Sequence, residues 1–168
     1  INSQNLNKLF KPKIFFSQLK KNKIQHPPTS ITNNNTVLMP GWLWKNLHSS
    51  GGTGVKTQKI LNNDYPGGYL QKIIEGNPIS VFFLADQFFI DVFGFCQINS
   101  FKFEDTPYLF NGLKGPIVLE REITEKVFLI LKVLTKEFNL IGLSGLDFII
   151  SERKVYVLEI NSRPTAAL

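Results

Sequence analysis

Residues 142–163 read GLSGLDFIISERKVYVLEINSR, and this stretch carries the strongest indication of the fold. Two runs within it, 146–151 and 154–160, are rich in Val, Ile and Phe, the composition of β-strands. Glu152-Arg153 separates them, so the stretch predicts a β-hairpin. Hairpins mixed with helices along one chain are typical of the α+β class rather than of a doubly wound parallel sheet.

Polar side chains on this hairpin predict a metal site. Glu159 and Asn161 are two positions apart, so they point to the same face of their strand. Asp147 lies on the partner strand of the same hairpin. Three oxygen ligands on one sheet face suit Mg²⁺, which keeps the rest of its coordination shell for water and phosphate. The alternative interpretation is the polar outer face of an edge hairpin.

Hydrophobic periodicity places the other elements around this hairpin. Apolar residues on one helical face predict helices over 8–23 and 119–138, the second with the stronger pattern. The runs 79–85 and 88–97 predict an antiparallel pair that turns at residues 86–87. Shorter strands are predicted at 36–39, 42–47, 55–60 and 69–74.

A lysine and a glycine-rich loop in the first half of the chain predict phosphate binding. Lys45 lies on a predicted strand and is followed at 49–54 by Ser-Ser-Gly-Gly-Thr-Gly. Phosphate oxygens need such a point charge and exposed backbone N–H groups. A Walker A loop is excluded, because Val55 stands where that motif requires glycine before Lys56. The alternative is a flexible hairpin turn.

Composition excludes several classes of protein. The chain has 168 residues, 43% of them apolar, so it can form a globular core and is not a disordered protein. A single cysteine, Cys96, excludes a disulfide framework and a cysteine-based zinc site. Because no uncharged apolar run reaches 18 residues, we expect no membrane span and a cytoplasmic protein.

The charge is distributed unevenly along the chain. Residues 1–60 contain nine lysines and no acidic residue, whereas residues 61–168 sum to −3. A basic half beside an acidic half suits a metal–polyphosphate ligand, because lysines contact phosphate and carboxylates contact the metal. The alternative partner is nucleic acid, which the presence of only three arginines disfavours.

Taken together and in this order, these segments resemble the ATP-grasp superfamily of ATP-dependent carboxylate–amine or carboxylate–thiol ligases. The segments that match are the strand with Lys45, the loop SSGGTGV, YLQKIIEGNPISVFFLAD, GLSGLDFII and VYVLEINSRP. The resemblance covers residues 8–168, and the closer likeness is to the branch that includes tyramine–glutamate ligases of one-carbon cofactor biosynthesis. It implies an α+β fold in which two subdomains hold ATP between them. The implied division is an N-terminal helix region at 1–28, a small lid subdomain at 29–72 and a C-terminal subdomain at 73–168.

The resemblance also implies a role for each candidate site residue. Two lysines would contact the phosphates from the α-phosphate side, and the glycine-rich loop would close over the β- and γ-phosphates. A hinge segment would hold adenine, and one or two Mg²⁺ ions would bind to the C-terminal hairpin. The residues assigned in this way are Lys45 with Lys11 (alternatively Lys13) for the first phosphate contact, Ser50, Gly51, Gly52, Thr53 and Gly54 for the loop, Gln71, Lys72, Ile73 and Ile74 for the hinge, Asp147, Glu159 and Asn161 for the metal, and Arg163 with Lys45 for charge on the transferring phosphoryl group.

The implied reaction is Mg-ATP-dependent ligation of a carboxylate to an amine through an acyl phosphate. The implied partners are ATP, a small amino-acid-like acid, a small amine and a second copy of the chain in a homodimer. Members of the superfamily normally carry a further α/β domain before the first helix and continue past the Asn-x-Arg-Pro segment. We therefore expect a fragment, or a short protein that binds nucleotide without full turnover. A basic nucleic-acid-binding domain is the least favoured alternative.

Overall fold

In the computed structural model, the described part of the chain comprises residues 8–31, 39–57, 67–86 and 88–162, and it contains two β-sheets and two complete helices. This mixture confirms the α+β class. The elements, in chain order, are α1 (Pro12–Lys21), β1 (Thr29–Ile31), β2 (Trp42–Asn46), β3 (Val55–Lys56), β4 (Gly68–Lys72), β5 (Asn77–Ala85), β6 (Ile90–Phe103), β7 (Thr106–Ile117), α2 (Arg121–Phe138), β8 (Gly142–Ser151) and β9 (Lys154–Asn161).

The chain divides into two compact units. The small unit comprises Pro27–Ile74 and Asn99–Gly112, and the large unit comprises Ile1–His26, Glu75–Ile98 and Leu113–Leu168. Strands β6 and β7 each contribute residues to both units. The unit boundaries after His26 and Ile74 lie close to the predicted divisions after residues 28 and 72, and the predicted three-part division into domains stays a prediction.

The large unit is built on a five-stranded sheet in the order β7-β6-β5-β8-β9. Pairing is antiparallel between β5 and β6, between β5 and β8 and between β8 and β9, which confirms both predicted hairpins. Glu152 and Arg153 form the β8–β9 turn with φ of 47° and 60°, as a two-residue turn requires to match the strand twist. The core of this sheet contains side chains that are at most 2% exposed: Ile79, Val81, Phe83, Leu146, Phe148 and Val157.

Both helices of the large unit bury one apolar face. On α2, Val127, Leu131 and Phe138 are at most 1% exposed. On α1, Phe15 and Leu19 are buried, and the Phe15 ring lies 5.8 Å from the Phe138 ring. This contact joins the two helices within one core. Neither helix in the described ranges is long and apolar enough to cross a membrane.

The helix predicted over 8–23 is interrupted near its start and ends earlier, at Lys21. Lys8 and Leu9 are helical, but Lys11 is extended, with φ −101° and ψ 101°, so α1 begins at Pro12. Proline favours the first helical position because its φ is already helical and its missing N–H would have no partner there. Lys20 and Lys21 occupy the last turn, where positive charge favours the helix dipole.

The small unit contains a four-stranded sheet in the order β1-β4-β2-β3. β4 pairs antiparallel with β1 on one side and with β2 on the other. β2 and β4 correspond to the strands predicted at 42–47 and 69–74. The strand predicted at 36–39 and the end of the one predicted at 55–60 fall almost entirely outside the described residues.

Strand β6 extends further than the sequence predicted, and β7 was not predicted at all. The prediction ended the second strand of the pair at residue 97, but β6 continues to Phe103 and is followed by β7 over Thr106–Ile117. β7 was not predicted because it contains Pro107, Gly112 and Pro116, and both residue types are disfavoured in the interior of a strand. β7 tolerates them because it is the edge strand of the large sheet, where one side of the backbone needs no ladder.

Exposed ion pairs join the β8–β9 turn to the first turn of α2. Arg153 Nη2 lies 2.9 Å from Glu120 Oε2 and 2.8 Å from Glu122 Oε2. Lys126 Nζ donates to Glu122 Oε1 at 2.7 Å and to the Arg153 carbonyl oxygen at 3.2 Å. The hydrogen bonds from Lys126 and Arg153 lower the pKa of Glu122 from 4.5 to about 2.

Replacing Glu122 with Gln should make the stability of the protein less dependent on pH in acid. Because folding lowers the pKa of Glu122, its ion pairs stabilise the fold above pH 4.5, and this contribution is lost as the pH falls to about 2. The melting temperatures of wild type and Glu122→Gln should therefore differ at neutral pH and converge toward pH 2. The difference should also shrink in high salt, because exposed pairs are screened. A constant difference across the pH range would contradict this role, and Glu137→Gln, on the same helix, is the matched control.

Candidate functional site

The β8–β9 hairpin brings the three predicted metal ligands together. Asp147 is paired directly with Glu159 across the two strands, and Gly145 is paired with Asn161. The Asn161 amide nitrogen donates to Asp147 Oδ2 and to Glu159 Oε1, each at 3.3 Å. One amide therefore links two carboxylates on one face of the sheet. Metal binding at this place stays a prediction.

A β-bulge separates the polar end of β9 from its apolar beginning. The pairing of β8 with β9 shifts directly after Asp147, which leaves Leu158 as the extra residue between Val157 and Glu159. Val157 is fully buried, whereas Glu159 is exposed. In an unbroken strand these two residues would share a face, because side chains alternate with a period of two. The bulge therefore allows Val157 to pack in the core while Glu159 lies beside Asp147.

The donor atoms of this cluster fit Mg²⁺. They are the oxygens of two carboxylates and one amide, the ligands that hard cations prefer. Within the described ranges, no group of three or more His, Cys, Asp or Glu side chains could hold a metal ion. Mg²⁺ does not require such a cage, because it is usually held by one or two carboxylates together with water and substrate phosphates. Two carboxylates and one amide would therefore be sufficient for Mg²⁺ if water and phosphate oxygens filled its other positions.

Lys45 lies on β2 of the small unit and is half-buried. Its Nζ donates to Gln71 Oε1 at 3.2 Å and lies 5.8 Å from the centroid of the Tyr69 ring. Tyr69 is the cross-strand partner of Lys45. These contacts hold the ammonium group over one face of the small sheet, where it could meet an anion.

The loop predicted to bind phosphate, residues 49–54 and called the phosphate loop below, rests on β7 in the same unit. The Gly51 carbonyl oxygen accepts a hydrogen bond from the Phe110 N–H at 2.9 Å. A Cβ atom at Gly52 would overlap the Tyr108 carbonyl oxygen and would lie 2.8 Å from the Tyr108 carbonyl carbon. Gly52 also has a φ of 78°, which L-residues rarely adopt. Glycine is therefore required at this position for two independent reasons.

Backbone donors of this loop are available to an anion. The Thr53 N–H donates to the Ser50 carbonyl oxygen at 3.2 Å, and the Val55 N–H donates to the Gly52 carbonyl oxygen at 3.0 Å. Among the described residues, the N–H groups of Ser50, Gly51 and Gly52 donate to no protein acceptor. Successive unpaired N–H groups in a glycine-rich turn are the usual donors to phosphate oxygens.

An ion pair that the sequence did not predict fixes the strand after the loop. Lys56 Nζ lies 2.7 Å from Asp105 Oδ1 and donates to Thr106 Oγ1 at 2.8 Å. The hydrogen bond from Lys56 lowers the pKa of Asp105 below its usual value. Lys56, the lysine that a Walker A motif would place on phosphate, thus attaches β3 to the β6–β7 turn. No sequence signal identifies this pair, because its partners are 49 residues apart.

The predicted hinge has one main-chain donor that the described protein does not use. The Lys72 N–H donates to the Pro28 carbonyl oxygen at 2.9 Å, and the Ile73 N–H donates to the Gly41 carbonyl oxygen at 2.8 Å. The Gln71 side chain is 2% exposed and lies within the sheet. In the part of the chain that the structure describes, the Ile74 N–H has no acceptor. An adenine ring at this segment could therefore accept a hydrogen bond from Ile74.

The other predicted residues are placed as follows. Lys11 precedes α1 and Lys13 lies in its first turn, and both are exposed residues of the large unit. The small unit contains Lys45, the phosphate loop and the hinge, whereas the large unit contains the carboxylates. Arg163 lies outside the described residues.

Solved structures of larger proteins share this fold. D-alanine–D-alanine ligase from Bacillus anthracis is 16% identical with a TM-score of 0.72, and the match covers 97% of this chain and 60% of that chain. Carboxyaminoimidazole ribonucleotide synthase from Aspergillus clavatus, complexed with ATP, is 15% identical with a TM-score of 0.78, covering 96% of this chain and 47% of that one. The large chain of carbamoyl phosphate synthase from Thermoplasma volcanium is 39% identical over 54 residues, which are 32% of this chain and 5% of that protein.

The chain spans 60% or less of the length of these similar proteins. The similarity in structure covers both units, from the first helix to the C-terminal hairpin, since each structural match includes at least 96% of the chain. The family model of the ATP-grasp domain matches residues 11–167. On this match, which extends over nearly the whole sequence, the chain belongs to the ATP-grasp family.

Proposed function

We propose that this domain serves the Mg²⁺- and ATP-dependent ligation of a carboxylate to an amine. The observation that carries the proposal is the direct pairing of Asp147 with Glu159, with Asn161 hydrogen-bonded to both. Oxygens of carboxylates and amides are the ligands that Mg²⁺ prefers, and it is usually held by one or two carboxylates together with water and phosphate oxygens. Two carboxylates side by side on one sheet face, linked by an amide, therefore support a metal site.

The small unit supplies the groups that suit the phosphates and the base of ATP. Lys45 offers an ammonium group, and the phosphate loop offers unpaired N–H groups at Ser50, Gly51 and Gly52. We assign the adenine ring to the segment 71–74, with the Ile74 N–H as its main-chain donor. Lys11 or Lys13 is assigned to the phosphates as a second ammonium group.

The reaction that these groups suit has two steps. A carboxylate oxygen of the substrate attacks the γ-phosphorus, the bond to the bridging oxygen breaks and ADP leaves, which gives an acyl phosphate. The amine nitrogen then attacks the acyl carbon, phosphate leaves and the nitrogen loses a proton. Mg²⁺ would supply charge neutralisation for the phosphoryl group, and Asp147, Glu159 and Asn161 would hold it. Lys45 and Arg163 would stabilise the negative charge that develops on the same group.

The substrates that we propose are an amino-acid-like acid and a small amine. The resemblance to tyramine–glutamate ligases and the similarity of fold to a D-alanine–D-alanine ligase support this class. Both inferences are analogies at the level of the fold, so they indicate a class of substrate and not a compound.

Calorimetric titration of the wild-type chain with ATP tests the proposal. We expect ATP to bind with Mg²⁺ present and to bind at least about 10-fold more weakly in EDTA, because Mg²⁺ held by Asp147 and Glu159 would offset the negative charge of the phosphates. Binding that is equally strong in EDTA, or no binding by a folded chain, would contradict it. Release of ADP on addition of amino acids and amines then distinguishes ligation from nucleotide binding alone. If ATP binds but no ADP is released, the proposed ligase activity is wrong.

A further inference from the structure

Gln71 is a buried polar residue of the small sheet. It lies on β4, directly opposite Thr29 of β1 and Leu43 of β2. Its side chain is only 2% exposed. A buried primary amide must find its hydrogen-bond partners inside the protein, because leaving them unpaired carries the full cost of desolvation.

Hydrogen bonds fix which way this amide points. The Thr29 hydroxyl donates to the Pro27 carbonyl oxygen at 2.8 Å. Thr29 Oγ1 has only one proton, so toward Gln71 it can only accept, and it does so from Gln71 Nε2 at 3.2 Å. The Gln71 Oε1 must then face the other way, where it accepts from Lys45 Nζ at 3.2 Å. If the Gln71 amide were reversed, its Nε2 group would face the Lys45 ammonium group, and two hydrogen-bond donors would meet without an acceptor.

We propose that Gln71 is a positioning residue that holds the Lys45 ammonium group for phosphate, with Thr29 as the anchor that orients the Gln71 amide. The family resemblance implied that Gln71 contacts adenine, and for its side chain we replace that role with the positioning of Lys45. The inference about Gln71 rests on the proposed binding of ATP phosphates by Lys45. A neutral amide suits this task better than a carboxylate, because it fixes the ammonium group without cancelling its charge.

A double-mutant cycle distinguishes positioning from direct contact. We expect Gln71→Leu to weaken Mg-ATP binding about 10-fold, as for loss of a hydrogen bond to a charged group. In a Lys45→Met background the same substitution should have no further effect, because the group that Gln71 positions is gone. If the two losses add, Gln71 contacts the nucleotide itself and the inference is wrong; it is also wrong if Gln71→Leu binds like wild type.

Two further measurements keep the test independent of folding and of the proposed function. Thr29→Val removes the anchor and should weaken Mg-ATP binding, whereas Ser30→Ala, at an exposed position of the same strand, should not. Relaxation of the Lys45 ammonium group by ¹⁵N NMR needs no nucleotide: the group should be more mobile in Gln71→Leu than in wild type. A restrained Lys45 in a chain that binds no ATP would overturn the proposed function alone. A Lys45 equally mobile in both proteins would overturn the inference about Gln71.

Discussion

A Gly52→Ala variant is expected to bind Mg-ATP about 10- to 100-fold more weakly than wild type, because displacement of a binding loop by about 1 Å is sufficient for a loss of this size. The added Cβ atom would overlap the Tyr108 carbonyl oxygen and would lie 3.3 Å from the Leu109 Cα. Both neighbours are backbone atoms of β7, so no side-chain rotation relieves the overlap. The loop must leave β7, and it breaks the hydrogen bond from Phe110 to Gly51 as it does so.

Gly112→Ala is the matched control for this variant. Gly112 belongs to the same unit and also has positive φ, 97°, but a Cβ atom there meets nothing within 4 Å. Both substitutions share the cost of placing an L-residue in a left-handed conformation, about 1–2 kcal/mol. Only Gly52→Ala adds the overlap with β7. Melting curves should show that both variants fold, and calorimetry should show that only Gly52→Ala loses nucleotide affinity. Equal affinity in the two variants would mean that the position of the loop on β7 does not matter for ATP.

The elements that the sequence predicted well are those whose signals are local. The stretch 121–138 combines a continuous apolar face with a polar one, so α2 was recognised to within two residues of its start. The β8–β9 hairpin is equally local, since two apolar runs flank one turn. The placement of Glu159 and Asn161 on one face needed only the period of two in a strand.

What the sequence could not predict depends on contacts between distant segments. The β-bulge at Leu158 exists because Val157 packs in the core and Glu159 does not, and a period of two alone would give them the same face. The position of the phosphate loop could not be predicted because the loop contacts β7, and the prolines Pro107 and Pro116 prevented the prediction of that strand. The role of Gln71 appears only when its partners from two other strands are known. In each case tertiary packing, not the local pattern, decides the outcome.

The double variant Asp147→Asn/Glu159→Gln should lose Mg²⁺-dependent ATP binding and keep its stability. Both substitutions are nearly isosteric and keep an oxygen acceptor for the Asn161 amide, so the hairpin should remain folded. They remove the two negative charges that would attract a cation to this pair of residues. The melting temperature in EDTA should stay close to that of wild type. In Mg²⁺ the variant should bind ATP at least about 100-fold more weakly, since even groups that only support metal ligands contribute 10- to 100-fold.

Loss of ATP binding without loss of stability distinguishes a metal site from a polar surface. If Asp147 and Glu159 only formed the outer face of a hairpin, their neutralisation would leave ATP binding unchanged. If they mainly stabilised the fold, their neutralisation would lower the melting temperature and any loss of binding would follow from unfolding. The control Asp91→Asn/Glu152→Gln neutralises two exposed carboxylates elsewhere on the large unit and leaves the net charge equal to that of the test variant. Loss of Mg²⁺-dependent binding in the test variant alone, with its melting temperature preserved, is the result that only a cation held between Asp147 and Glu159 explains.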